Sequence, residues 1–109
     1  MLTNRITLAH LTDADLDTMH GVAMNVWDNA NALGAFASDI LQEEMIRRLT
    51  GRAPVADAVP SDWSAQDIAE ALTTAPAFAF AAATATAREF SKQLTASISA
   101  AAAARLTLN

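Results

Sequence analysis

Leu16-Asp-Thr-Met19-His-Gly-Val-Ala23-Met-Asn-Val26-Trp-Asp-Asn-Ala30-Asn-Ala-Leu33-Gly-Ala-Phe-Ala37-Ser-Asp-Ile40 carries its apolar residues at alternating steps of three and four. That rhythm is the seam of an amphipathic helix laid against a neighbour. Alanine recurs along one edge of the seam at every seventh position, at Ala23, Ala30 and Ala37. Small side chains there let a second helix come closer than leucine would allow. Upstream, Thr12-Asp-Ala-Asp15 is a capping-box pattern, and Asp13, Asp15 and Asp17 suit the positive end of a helix dipole. Downstream, Arg47 and Arg48 fit a last turn and Gly51 fits the residue just past it. The seam shifts near its end, where Glu44 takes the next slot while Leu41, Met45 and Leu49 carry on, and Gly34 is a place where the helix can bend. Read as continuous, this helix covers about 13–49 and is about 55 Å long at 1.5 Å per residue.

The rest of the chain follows the same logic. Residues 51–60 contain Pro54 and Pro60 and read as an extended linker. A short helix over about 62–74 is capped by Ser61 or Ser64, with Ser64-Ala-Gln-Asp67 a second capping box. A long helix over about 76–105 opens with Pro76 near its first position. Its seam is Phe80, Ala83, Ala87, Phe90 and Leu94, continuing through Ser97 or Ile98 to Ala101. Residues 1–11 form an extended arm in which Ile6 and Leu8 alternate with polar neighbours, and Arg5-Ile-Thr-Leu8 is echoed by Arg105-Leu-Thr-Leu108. The expected fold is all-α: two long antiparallel alanine-rich helices plus one short helix, in a single domain over 12–109. Trp27, Phe36, Leu41 and Phe78 lie off the two seams and need cover, so the sequence predicts a hairpin or bundle completed by self-association.

Composition narrows the function. The chain of 109 residues has room for one domain. Its hydrophobic fraction of 52% overstates the core, because much of it is alanine, which buries little area. A formal net charge of -5 opposes direct binding to nucleic acid or docking on an anionic membrane. With no cysteine there is no disulfide framework, thiol nucleophile or thiolate metal site. Met1 to Leu11 is broken by Asn4, Arg5 and His10 and lacks the apolar core of a secretory signal. The longest uncharged stretch, Ala71 to Ala87, contains Pro76 and is dominated by alanine and threonine, so no membrane span is expected. These features fit a cytoplasmic protein.

Candidate chemistry is sparse. Asp17-Thr-Met-His20 has the carboxylate-x-x-His spacing of helical di-metal sites, but 100° per residue turns Asp17 away from the seam. Gln66 to Leu72 has the texture of the first helix of a helix-turn-helix, yet the helix after it holds no base before Arg88. No nucleophile signature and no phosphate-cradling glycine loop is present, so neither an enzyme nor a cofactor is expected. Acidic residues gather off the first seam, with Asp28, Asp39, Glu43 and Glu44 as a face that could meet a basic partner.

Ala79-Phe-Ala-Ala-Ala-Thr-Ala-Thr-Ala-Arg-Glu-Phe-Ser-Lys-Gln-Leu94 is similar in texture to the phasins, alanine-rich helical proteins that coat polymer granules. The resemblance covers that stretch alone and implies an amphipathic surface coat. The residues themselves favour a non-enzymatic interaction or assembly protein, an adaptor or accessory subunit that works by helix packing on itself or another protein. A small acidic inhibitor of a basic, nucleic-acid-binding machine is the alternative.

Overall fold

The heptad seam folds back on itself. The computed structural model describes residues 5–27 and 31–107, and there the first long segment is two helices, α1 (Asp13–Trp27) and α2 (Ala32–Thr50). The Thr12 capping box forms as expected, with the Asp15 N–H donating to Thr12 Oγ1 at 3.0 Å and the Thr12 N–H to Asp15 Oδ2 at 3.2 Å. Asn31 restarts the helix: its side chain accepts from the Leu33 N–H at 2.9 Å. Gly51, at φ 70, closes α2, its N–H returning to the Arg47 carbonyl.

The expectation of one continuous helix over 13–49 is corrected here. The reason is that apolar rhythm alone does not tell a straight helix from a hairpin. In either arrangement Leu16, Met19, Ala23, Val26, Leu33, Ala37 and Ile40 face inward, and all seven are buried. Ala30 lies outside the described residues. The close approach that the small residues foretell falls between the two halves of the seam. Gly34 presses on the α1 backbone at Val26 and Trp27, where a Cβ would sit 2.6 Å from Trp27 Cα and 2.7 Å from the Val26 carbonyl carbon.

The arm and the linker meet. β1 (Ile6–Thr7) pairs antiparallel with β2 (Ala56–Asp57), setting Ile6 opposite Asp57 and Thr7 opposite Ala56. So the arm pairs with the linker, while Leu108, in the echoing segment, lies outside the described residues. Then come α3 (Ala65–Thr74), α4 (Pro76–Ala81) and α5 (Ala85–Thr107). Ser64 and Asp67 form the second capping box, and Pro76 begins α4. The long helix expected over 76–105 is thus interrupted. Ala82 is extended (φ -74, ψ 107), and Thr84 caps α5 by accepting from the Ala87 N–H at 3.0 Å. A threonine offers its hydroxyl to the backbone more readily at a cap than inside a helix.

One core serves all these elements. Ile6 and Leu8 of the arm join Leu16, Met19, Leu33 and Leu41 of the hairpin and Phe78, Phe90, Leu94 and Ile98 of the last two helices. Phe78 and Phe90 meet edge-on with centroids 6.2 Å apart, and Phe36 meets Trp63 likewise at 5.9 Å. Of the four large residues expected to need outside cover, Leu41 and Phe78 are therefore fully buried and Phe36 partly so, all within the chain. Trp27 alone of the four stays open, 49% exposed. The Cα radius of gyration of 13.4 Å matches the roughly 13 Å of a compact domain this long. Among the described residues no helix is long and apolar enough to cross a membrane.

Candidate interaction surfaces

The α4–α5 face follows from the way α4 is anchored. Phe78 points into the core against Phe90. Two residues later the helix has turned by about 200°, so Phe80 points the opposite way and is 94% exposed. The seam reading of Phe80 and Ala83 is corrected on this ground: α4 ends at Ala81, the chain is extended at Ala82, and both residues face outward, whereas Ala87, Phe90 and Leu94 are buried as expected. An open groove of about 510 Å³ runs beside α4, lined by Ala79, Arg88, Ser91, Lys92, Thr95 and Ala96. Its floor is small and apolar, and its charges are two cations.

The junction that fixes this face is an anion held by hydroxyls. Asp15, buried at 5% exposure, takes Thr84 Oγ1 on Oδ1 at 2.8 Å and Thr86 Oγ1 on Oδ2 at 2.5 Å, so one carboxylate caps α1 and clamps the start of α5. The Thr86 hydrogen bond is the largest cause that holds its pKa down at about 2. Burial opposes it, and the Thr84 and Thr12 hydrogen bonds add to it. The carboxylate is screened by its own partners more than by depth in the fold, so the linked stability is about 2 kcal/mol at most. Because the folded value lies below the usual 3.8, that stability is present above pH 3.8 and is lost as pH falls to about 2. Asp15→Asn is expected to lower the melting temperature at pH 7 and to converge on the native chain near pH 2. Melts across that range check it, and an equal gap at both ends would refute the clamp.

A second groove, of about 420 Å³, opens where α1 begins and α2 ends. Asp13, Leu16, Asp17, Met45, Arg48 and Leu49 line it, and Leu49 is 87% exposed. Arg48 is engaged internally. Its Nε donates to Glu44 Oε2 at 2.9 Å, Nη1 to Asp13 Oδ1 at 2.9 Å, and Nη2 to the carbonyls of Leu8 and Leu11 at 3.0 and 2.7 Å. Glu44, expected on an outward acidic face, is buried beneath Arg47 and Arg48, and that placement is corrected. The cause is that the three-and-four rhythm of Ala37 and Ile40 runs on through position 44 and turns it inward, where two arginines meet it. Asp39 and Glu43 are exposed as expected, and Asp28 lies outside the described residues. Asp57, on β2, is pushed above its usual range, mainly by burial, with Arg47 opposing.

His20 finds a serine. Its Nε2 lies 3.3 Å from Ser38 Oγ across the α1–α2 contact. Both residues sit inside helices, where the backbone N–H groups are bonded to carbonyls, so no donors are available there for an oxyanion. The pair is a polar link between helices. Among the described residues no three His, Asp or Glu side chains converge as a metal-binding group.

The Leu49 groove escaped sequence reasoning because it joins the start of α1 to the end of α2, whereas Arg88, Ser91, Lys92 and Thr95 of the other groove stand at helical spacing on one face of α5. A further local signal was Phe80 two positions after Phe78, a spacing that no single helix face can bury. Comparison of the chain with known protein families, with curated proteins and with solved structures returns no match.

Proposed function

We propose that this chain is a non-enzymatic interaction protein, an adaptor or accessory subunit, whose α4–α5 face docks a partner surface carrying carboxylates beside apolar side chains. One observation carries the reading: Phe80 is 94% exposed on an anchored helix, one residue from the Ala79 wall of an apolar groove charged by Arg88 and Lys92. An aromatic ring held out in water costs free energy that a docked partner would recover, and buried aromatics with neighbouring cations are typical anchors of interfaces.

Asp39 and Glu43, one turn apart and both exposed on α2, support the acidic-inhibitor reading as second choice. Glu44 no longer contributes to it. A granule coat has less support, since Phe90, Leu94 and Ile98 already lie in the chain's own core. Phe80→Asp separates the readings. The variant is expected to melt like the native chain, because the ring touches little, while losing the complex that the native chain forms in its host. Light scattering of the purified complexes checks this. An intact complex in Phe80→Asp, lost instead in Asp39→Lys/Glu43→Lys, would favour the inhibitor.

A further inference from the structure

The two grooves are complementary, and we propose that a second copy of this chain is the occupant: the Phe80 face of one copy docks in the Leu49 groove of the next. This rests on the α4–α5 face being a docking surface. The Phe80 side offers an exposed aromatic, next in sequence to Ala79 of a groove that carries two cations, Arg88 and Lys92, with one acid, Glu89, adjoining Arg88 in the chain. The Leu49 side offers an apolar recess over Leu16 and Met45 with Asp13 and Asp17 at its edge. Its single cation, Arg48, is held by Glu44 and Asp13 of the same copy, so the recess presents a negative rim. Phe80 then enters between Met45 and Leu49 while Arg88 and Lys92 meet Asp13 and Asp17.

Charge decides against the symmetric alternative. A two-fold pairing of Phe80 faces would place Arg88 and Lys92 of both copies in one interface, four cations against two Glu89 carboxylates. Like charges across a contact are costly, whereas the head-to-tail pairing sets cations against carboxylates. Unlike surfaces that meet head to tail do not close unless the rotation happens to form a ring, so the copies add one after another. Each contact is one aromatic knob and a pair of exposed ion pairs, which places it among small, weak interfaces that salt screens.

The test is sedimentation equilibrium of the purified chain from about 10 μM to about 1 mM, the span in which weak interfaces fill. At low salt the average mass is expected to rise steadily past that of a dimer, and to fall back toward the monomer near about 0.5 M salt, where the Debye length is only a few ångströms. Arg88→Glu/Lys92→Glu and Asp17→Lys are each expected to be monomeric with native helicity. Mixed together they associate again, because each still carries the surface that the other has lost. Phe80→Ser and Leu49→Ser form a second, uncharged pair with the same expected complementation, should either charge variant fold poorly. A native dimer of fixed mass, or single variants that associate like the native chain, would overturn head-to-tail contact. A native monomer throughout, with a cross-linker at position 80 still capturing a different protein, would remove the second copy while leaving the docking face in place.

Discussion

Gly34→Ala is expected to destabilise the fold by about 3 kcal/mol, at the upper end of overpacking costs. A helix interior normally gains up to about 1 kcal/mol from this exchange, since alanine is the better helix former. Here the added methyl would meet the Trp27 backbone nitrogen, with Trp27 Cα at 2.6 Å and the Val26 carbonyl carbon at 2.7 Å. These are backbone atoms of α1 and cannot swing aside as a side chain would. The two helices must part, and the seam through Ala23 and Ala37 opens with them. Gly21 is the internal control. It lies inside α1 with nothing within 4 Å of an added Cβ, so Gly21→Ala should raise stability by about 0.5–1 kcal/mol. Urea unfolding of both variants checks the pair. Equal signs would mean that the hairpin is not closely packed at its turn.

Arg48→Met should cost about 3 kcal/mol and lower the melting temperature by about 10 °C or more. The loss follows from what Arg48 holds. Glu44 is buried and depends on Arg48 for its shortest ion pair, at 2.9 Å, with the nearest Arg47 nitrogen 3.5 Å away. The carbonyls of Leu8 and Leu11 accept from the same guanidinium, which ties the arm to the end of α2. Removing one partner of a buried pair leaves an uncompensated charge, and the freed carbonyls add to the loss. Arg48 is itself partly open to water, which keeps the figure below the largest known for such pairs. Arg48→Lys should fall between, because an ammonium cannot reach carboxylate and carbonyls in one planar fork. If Arg48→Met melts within a degree or two of the native chain, Glu44 is not held as described.

Much of the helical plan could be read from local chemistry. Thr12, Ser64 and Gly51 each mark a helix end by a hydrogen bond within a few residues, Pro76 marks one by its fixed φ, and each does so in the structure. The seam residues of α1 and α2 are buried as their spacing implies. The hairpin was harder to see, because Leu33, Ala37 and Ile40 stay in phase with Leu16, Met19 and Ala23 on either side of the turn. The usable clue was Asp28-Asn-Ala-Asn31 just before Gly34, a cluster of turn-forming side chains next to a residue that tolerates close contact. The break before Thr84 depends on Asp15, 69 positions away, and sequence spacing carries no trace of such a partner. Glu44 is similar. Its neighbours Arg47 and Arg48 are visible, but not the Leu8 and Leu11 carbonyls that hold Arg48 over it.

That arm also bears on how the molecule is made. Ile6 and Leu8 are fully covered, yet the residue between them is anchored late in the chain: Thr7 donates to Gln93 Oε1 through its N–H at 2.8 Å and through its hydroxyl at 3.2 Å. The α1–α2 hairpin can form from local contacts as soon as it clears the ribosome, but the first strand must wait for α5. Those early apolar residues stay in water until α5 is made, so a segment synthesised before the hairpin is secured after it.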